Sequence, residues 1–329
     1  MVASAIRRVL AVGLIGSVLA AAAAQAAGPA AVMIQGERVF PESMTSSADG
    51  ALIFGSIGNK MVYRAPPGSD TAVPWIQPGT DGLQSTFGVF ADNKSKTLYV
   101  CSNGAFGPPP PPGTPSPSPA TLYAFDLKTG ASKGHYPFPS AGALCNDIAV
   151  GGDGTAYATD TNNMQIVRLK KGATALEVWA GTGAFGARGG VLDGISVLGD
   201  RVIANTLATS KLFSVPIRQD GSAGPVTEIT LDRPISRPDG MRSFGKSEVL
   251  IIEGGDGGKL ERVAFDGNSG KVTLIKQGYP DGPVAVTLVG TTAYVVEGQL
   301  GAMMRRPGSS APAPELKPFK ATAVEVGKP

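Results

Sequence analysis

Four polar residues in this 329-residue sequence could together bind a divalent cation. They occupy equivalent places in four copies of a repeated unit and are Glu42, Asn146, Asp193 and Asp239. Carboxylate and amide oxygens are donors that suit Ca²⁺, Mg²⁺ or Mn²⁺ better than a soft metal. Three carboxylates in one small space also repel one another unless a cation lies between them. These residues predict a metal site, provided that the fold brings the four units together.

The repeated unit is a strand, a tight turn and a second strand, which is the signature of a β-hairpin. Its six copies open at residues 42, 88, 146, 193, 239 and 283, so that successive openings are 46, 58, 47, 46 and 44 residues apart. Each hairpin is followed by a third short strand, and several by a looser fourth one. Four strands about every 45 residues, repeated six times, predict an all-β fold: a six-bladed β-propeller with four-stranded blades.

The first strands of such a fold line a central channel, so residues at their starts converge at one face. The second and sixth units carry Phe87–Gly88 and Pro283–Val284 at this place, so the repeat itself does not demand an acid there. The alternative is that each Asp-Gly or Asn-Asp pair only forms a turn. The recurrence of four such residues at one repeat position favours the metal site.

The longest interval between units contains a proline-rich insertion, residues 107 to 120. Proline lacks an N–H donor and cannot join a sheet, so we expect a loop on the face where Asn146 lies. That loop is interpreted either as a lid or recognition element or as a tolerated spacer. The segment "AVMIQGERVF" from residue 31 is expected to form the outer strand of the last blade, with the tail after Glu315 providing another.

Residues 1 to 26 are typical of a signal peptide, since Arg7 and Arg8 precede an apolar run that ends in Ala24-Gln25-Ala26. The run of about 16 residues is short of the roughly 20 that span a bilayer, which disfavours a membrane anchor. We therefore expect a periplasmic or secreted protein whose residues 27 to 329 form a single domain. Without the two signal arginines, 27 basic residues face 26 acidic ones, and no basic cluster indicates a nucleic-acid or membrane partner. A monomer is expected.

The cysteine and histidine content limits the chemistry. Cys101 and Cys145 are the only two cysteines, and in an oxidising compartment they could form a disulfide or remain two separate buried thiols. The single histidine, His135, excludes a three-histidine zinc site. A Ser-His-Asp triad would also need His135, and the sequence contains no G-x-S-x-G elbow.

The units "PES", "CNDIAV", "LDGISV" and "RPDGM" resemble the metal-binding positions of the regucalcin/gluconolactonase family of six-bladed propellers, and more distantly those of paraoxonases. The resemblance covers residues from about 40 to 320. The family's acid, Asn-Asp, Asn-Gly and Pro-Asp-Gly positions match, in that order, Glu42, Asn146, Asp193 and Asp239. Two departures follow: an aspartate replaces the asparagine of the fourth unit, and Leu144 stands where the sugar-lactone enzymes often carry arginine. A lactone or ester less polar than gluconolactone is therefore expected.

The resemblance implies metal-assisted hydrolysis of a small lactone or ester, with Ca²⁺ as the first choice of cation and Mg²⁺ or Mn²⁺ as alternatives. It suggests Asp239 as the general base, with Asn146 and Asp147 holding metal and substrate. Asp160 and Glu253, at the ends of second strands, are candidate substrate contacts or solvated loop acids. Two alternatives are a non-catalytic propeller that binds a protein or glycan, and a metal-independent enzyme that resembles strictosidine synthase.

Overall fold

The computed structural model describes residues 28–104, 119–181, 183–255, 257–304 and 315–328. The predicted signal peptide, residues 1 to 26, and all but residues 119 and 120 of the proline-rich insertion lie outside the described residues. Helix in the described part is confined to a 3₁₀ turn, Thr80–Gly82, and the single α-helical turn α1, Leu300–Met303. The fold is therefore all-β, as predicted. None of the described helices is long and apolar enough to cross a membrane.

The described chain contains twenty-five strands. In chain order they are β1 Ala31–Ile34, β2 Pro41–Ser46, β3 Leu52–Ser56, β4 Met61–Ala65, β5 Thr71–Ile76, β6 Ser85–Asp92, β7 Thr97–Asn103, β8 Thr121–Asp126, β9 Ser132–Pro137, β10 Cys145–Val150, β11 Ala156–Asp160, β12 Gln165–Leu169, β13 Glu177–Ala180, β14 Leu192–Leu198, β15 Arg201–Thr206, β16 Lys211–Pro216, β17 Thr227–Glu228, β18 Thr230–Leu231, β19 Pro238–Phe244, β20 Glu248–Glu253, β21 Lys259–Asp266, β22 Ser269–Gln277, β23 Pro283–Val289, β24 Thr292–Glu297 and β25 Lys320–Glu325.

The described strands form five sheets. Three are four-stranded antiparallel meanders in the orders β6-β7-β8-β9, β10-β11-β12-β13 and β14-β15-β16-β17. The fourth runs β19-β20-β21-β22, with the short β18 added parallel to β22. The fifth has eight strands in two halves, β2-β3-β4-β5 and β23-β24-β25-β1, and the parallel pairing of β1 with β5 joins these halves.

The first strands of the hairpins contact one another in a closed circle. β2 contacts β6, and the contacts continue through β10, β14, β19 and β23 back to β2. The strands approach so closely that side chains are excluded at some positions. A Cβ on Gly88 would lie 2.2 Å from the Asn146 carbonyl oxygen, and one on Gly194 would lie 2.4 Å from that of Asp239. Glycine after Phe87 and Asp193 is thus required by the neighbouring strand rather than by a turn.

Apolar side chains fill the space between adjacent sheets. Strands β3 and β11 are buried along their whole length, because each sheet packs a neighbour on both faces. Between the β10 and β14 sheets, for example, Tyr157 packs edge-on against Trp179, with ring centroids 4.8 Å apart, in a cluster that also includes Phe185 and Phe213. Fully burying a side chain of this kind contributes about 1.5–3 kcal/mol. This packing holds adjacent sheets against one another.

Both ends of the described chain join one sheet, as predicted. β1, within the segment "AVMIQGERVF", pairs antiparallel with β25, and Val32 lies opposite Ala321. β25, which follows Glu315, in turn pairs with β24. The N-terminal strand thus completes a sheet whose other three strands come from the C-terminus.

Cys101 on β7 and Cys145 on β10 form a disulfide, with a Cα–Cα distance of 5.2 Å. The pairing predicted as one of two alternatives is confirmed. The disulfide links two neighbouring sheets, and its Cys145 immediately precedes Asn146. The Asn103 side chain reinforces this link, because its amide both donates to and accepts from the Cys145 backbone, at 2.8 and 2.9 Å.

Candidate active site

Each of the four predicted metal-binding residues is the second residue of a first strand. Glu42 lies on β2, Asn146 on β10, Asp193 on β14 and Asp239 on β19. All four strands have a register shift at this place, for example between Cys145 and Ile148. Such a bulge re-aims the side chains beside it. The strands therefore present these residues at the same end of the circle.

The backbone before each of the three acids is strained. Two residues earlier stand Phe40, Val191 and Arg237, whose φ angles are 44°, 60° and 52°. This left-handed conformation costs a residue with a Cβ about 1–2 kcal/mol. It persists because the carbonyl of each accepts a hydrogen bond from just beyond the second strand, at 2.9–3.2 Å. The repetition indicates that this bend sets the direction of the acids.

The acids lie close enough to influence one another's ionisation. Glu42 and Asp193 are only 8% and 5% exposed, and burial raises the pKa of both carboxyls well above their ordinary values. The charges of neighbouring acids raise these pKa values further, Asp193 and Asp239 acting on Glu42, and Asp239 and Asp147 on Asp193. Burial likewise raises the pKa of Asp239 to about 7. Full ionisation of the cluster would therefore place negative charge there that the protein compensates incompletely.

Two arginines oppose this charge from different positions. Arg242 is buried and lowers the pKa of Glu42. Arg237 is exposed on the surface before β19 and lowers the pKa of Asp193 and Asp239. Neither arginine forms an ion pair with these three acids in the described part of the chain. The cluster is therefore moderated by positive charge but not neutralised.

The Asn146 side chain is held by a hydrogen bond from its amide nitrogen, and its amide oxygen has no partner. Its Nδ2 donates to the Thr161 hydroxyl at 3.1 Å, and that hydroxyl donates to the Leu192 carbonyl at 2.7 Å. Its Oδ1 is buried and has no hydrogen-bond partner. A buried acceptor left without a partner costs about 1–3 kcal/mol and marks a place where a ligand could bind.

By chemical type, the four candidate donors suit a hard divalent cation. Among the residues that the structure describes, no three His, Cys, Asp or Glu side chains are gathered closely enough to hold a metal ion. The available donors are nevertheless all oxygens, and they comprise three carboxylates and the partnerless Oδ1 of Asn146. Such a set suits Ca²⁺, Mg²⁺ or Mn²⁺. The metal site remains a prediction whose chemistry these residues can satisfy.

Asp147 lies in a buried ion pair within the circle of strands. Its Oδ2 is 2.9 Å from Nη1 of Arg242, and both side chains are less than a tenth exposed. Arg242 also reaches from β19 to two other first strands, since its Nη2 donates to the carbonyls of Met44 and Val89, each at 3.1 Å. The carboxylate predicted to contact metal and substrate therefore has a protein partner.

Sequence reasoning did not single out Arg242, although a signal was present. It stands three residues after Asp239 and is the only charged residue at that repeat position. Three residues after the openings of the other five units stand uncharged residues: Thr45, Ala91, Ala149, Ser196 and Val286. A charge in the middle of a buried first strand requires a buried partner, and Asp147 provides it.

The two second-strand acids are also engaged by the protein. Asp160 is fully buried and accepts four hydrogen bonds, from the backbone of Leu144 and Asn163 and from the side chains of Asn163 and Gln165. Glu253 pairs with Lys259, while its Oε2 is buried without a partner. A substrate contact stays a prediction for both, and only Glu253 has a buried oxygen to spare. Asn205, by contrast, holds the site by donating to the Asp239 carbonyl at 2.7 Å.

No protein-family model matches this sequence, and the comparison with curated proteins found no match either. Among solved structures, the chain is similar to a gluconolactonase from Xanthomonas campestris, with 12% identity, a TM-score of 0.60 and coverage of 90% of this chain and 89% of that one. It is also similar to a calcium-binding regucalcin from Agrobacterium tumefaciens, with 14% identity, a TM-score of 0.58 and coverage of 91% and 97%.

A third similar structure is a virginiamycin B lyase from Staphylococcus aureus, in a variant with one histidine replaced by alanine that is catalytically inactive. It is 14% identical, with a TM-score of 0.55 and coverage of 89% of this chain and 98% of that one. These neighbours are β-propellers. At such low identity they establish that this chain has a fold of the β-propeller type.

Proposed function

We propose that this protein is a divalent-cation-dependent hydrolase of lactones or esters, built on a six-bladed propeller with four-stranded blades. The observation that carries the proposal is that Glu42, Asn146, Asp193 and Asp239 share one end of the circle of first strands, with Asn146 Oδ1 left unpartnered. The blade count is supported by the circle of six first strands and by the two four-stranded halves of the largest sheet. The gluconolactonase and regucalcin neighbours are in accord with this function.

The same four residues would hold the cation, which we propose to be Ca²⁺, with Mg²⁺ and Mn²⁺ as the alternatives. When bound, such a cation polarises a carbonyl and lowers the pKa of bound water. The protein contributes oxygen donors on strand starts that are constrained by bulges, by left-handed residues and by the disulfide beside Asn146. Arg242 pairs with Asp147 inside the circle of strands, so that the Asp147 carboxylate adds no uncompensated negative charge near this site.

Asp239 is proposed as the general base. It is the most exposed of the three acids, its Oδ1 accepts a hydrogen bond from the Gly240 amide at 2.9 Å, and its carbonyl is held by Asn205. It would take a proton from the attacking water as the water oxygen bonds to the carbonyl carbon. The ring C–O bond then breaks, the proton passes to the leaving alkoxide, and a hydroxy acid results. Water is the only co-reactant required.

The histidine content of this chain disfavours a histidine-dependent lyase. The sequence has one histidine, His135, which lies on β9, is exposed, and has its Nδ1 3.1 Å from Asp81. It is therefore an outer-strand residue rather than part of the acidic cluster. A binding propeller without catalysis remains the second candidate and predicts that the acidic cluster can be replaced without loss of partner binding.

The test is hydrolysis of a panel of aliphatic, aromatic and sugar lactones by the protein from residue 27, with chelator and with each cation restored. Glu42→Gln and Asp193→Asn should lower kcat/KM at least 100-fold and weaken calorimetric Ca²⁺ binding, because each removes a charged donor. Asp239→Asn should lower kcat more than it weakens binding. Asp220→Asn, in an exposed turn, is the control. Absence of turnover and of bound metal under every condition would refute the hydrolase.

Export is proposed on the composition of residues 1 to 26. The expected observation is that the full-length chain, produced in a secreting host, is recovered outside the cytoplasm with residue 27 at its N-terminus. Recovery of the intact chain from the cytoplasm would contradict the proposal. Edman sequencing of the purified protein distinguishes the two results.

A further inference from the structure

A cavity of about 530 Å³ lies beside the start of β10. Its walls are formed mainly by the segment from residue 138 to residue 144, which leads into β10. We call it the Leu144 cavity. The apolar side chains that line it are Pro119, Ala120, Phe138, Pro139, Ala141, Ala143 and Leu144. A volume of this size falls within the range of small-molecule pockets.

The cavity wall includes residues that are close in sequence to Asn146 and to the residues that hold it. Leu144 precedes Asn146 by two residues, and Asn162 follows Thr161, to which Asn146 donates its amide hydrogen bond. Asn103, also in the wall, is the residue that clamps the Cys145 backbone. A molecule whose reacting carbonyl lies at Asn146 could extend its remaining part toward this cavity.

The lining offers apolar surface but little hydrogen bonding. None of its described residues is charged. The polar side chains in the wall already bind the protein: the Ser140 hydroxyl accepts from Gln165 at 2.7 Å, and Asn162 donates to the Gly142 carbonyl at 2.9 Å. Both amide atoms of Asn103 are used on Cys145. The Ser140 hydroxyl can still donate and the Asn162 Oδ1 can still accept, but these two groups are too few for the several hydroxyls of a sugar, whereas an alkyl chain needs no partner.

We infer that the Leu144 cavity binds the apolar substituent of the substrate, so that the protein acts on alkyl-substituted lactones in preference to polyhydroxylated ones. This inference rests on the proposed hydrolase function. It specifies the substrate class of the same site and assigns Leu144 and Ala141 to recognition rather than to chemistry.

The test compares γ-lactones that carry unbranched alkyl chains of increasing length with unsubstituted γ-butyrolactone and with gluconolactone. Each methylene that enters the cavity should raise kcat/KM by up to roughly fourfold. Ala141→Trp, which fills the cavity from its exposed rim, should abolish the dependence of kcat/KM on chain length. Leu144→Arg should reduce turnover of the long-chain lactones selectively. Ala131→Trp, in the exposed turn between β8 and β9, is the matched control.

A binding measurement keeps this inference testable if no lactone is hydrolysed. The same alkyl series as 2-alkylcyclopentanones, which cannot be hydrolysed, is titrated calorimetrically into wild type and Ala141→Trp. A Kd that falls with chain length in wild type alone supports the cavity assignment even where the hydrolase proposal fails. Turnover that is independent of chain length, or a preference for gluconolactone, overturns the inference and leaves the hydrolase standing. Equal binding of all ketones by both proteins overturns it as well.

Discussion

The buried pair formed by Asp147 and Arg242 is the residue-scale feature with the clearest energetic consequence. Two charges removed from water stabilise a protein only when they are paired and hydrogen-bonded. Arg242 meets this condition with the Asp147 carboxylate and the carbonyls of β2 and β6, although its Nε has no partner. Its role is to connect first strands across the circle, beneath the acids that are proposed to bind metal.

Removal of Arg242 should therefore be costly. We expect Arg242→Met to lower the free energy of unfolding by about 3–5 kcal/mol, because it leaves the Asp147 charge buried and unpaired. Adding Asp147→Leu should recover much of this loss. Arg262→Met is the control, since Arg262 faces Glu248 at 3.6 Å in a partly exposed pair and its loss should cost less than about 1 kcal/mol. Denaturant unfolding measures all four proteins, and equal losses for both arginines would contradict the assignment.

The ionisation of Asp239 predicts how stability depends on pH when no cation is present. Its folded pKa of about 7 lies above the ordinary value of 3.8, so the folded protein keeps a proton that the unfolded chain releases. In chelator, the free energy of unfolding should fall as pH rises from about 4 to 7, by at most about 1.4 kcal/mol per pH unit for this group. Asp239→Asn should make that slope shallower, and the raised pKa values of Glu42 and Asp193 account for the slope that remains. The same slope in both proteins would show that Asp239 is not the titrating group.

At the scale of elements, the bends that precede β2, β14 and β19 store strain beside the acids. Val191 makes a test feasible, because a β-branched residue with a φ of 60° is a pronounced outlier. Glycine normally destabilises a strand by about 0.5–1 kcal/mol relative to alanine. Here the order should reverse, and Val191→Gly should be more stable than Val191→Ala by about 1 kcal/mol. Matched glycine and alanine variants of Val197, within β14, should keep the ordinary order, and thermal unfolding distinguishes the cases.

Sequence patterns predicted the strand elements better than the contacts between distant elements. The hairpin repeat predicted the first strands, and the equivalence of Glu42 and Asp239 followed from the period alone. The partnership of Asp147 with Arg242 could not be predicted in this way, because the two residues are 95 positions apart and meet only inside the circle. The Leu144 cavity was also missed, because a loop of small apolar residues has no periodic signal.

At the scale of the whole molecule, closure depends on two chain segments that are remote in sequence. β1 contributes the buried side chains of Val32 and Ile34, and it pairs with β25 on one side and β5 on the other. It therefore closes its own sheet and also joins the first and last parts of the chain. The packing of Phe319 edge-on against Phe40, with ring centroids 5.4 Å apart, extends this connection to the turn that precedes Glu42.

A chain that begins at residue 36 tests this closure. Loss of two buried aliphatic side chains should lower the free energy of unfolding by about 3–6 kcal/mol, relative to a chain that begins at residue 28. Met33→Ala is the control within the same strand, because Met33 is exposed and its removal should cost less than about 1 kcal/mol.

A peptide of residues 28–36, added in excess, should restore part of the lost stability by binding the folded chain. Because β1 holds the turn before Glu42 through Phe319 and Phe40, the shortened chain should also bind Ca²⁺ more weakly than Met33→Ala does. Unchanged stability and cation binding would mean that the first strands close the circle without β1.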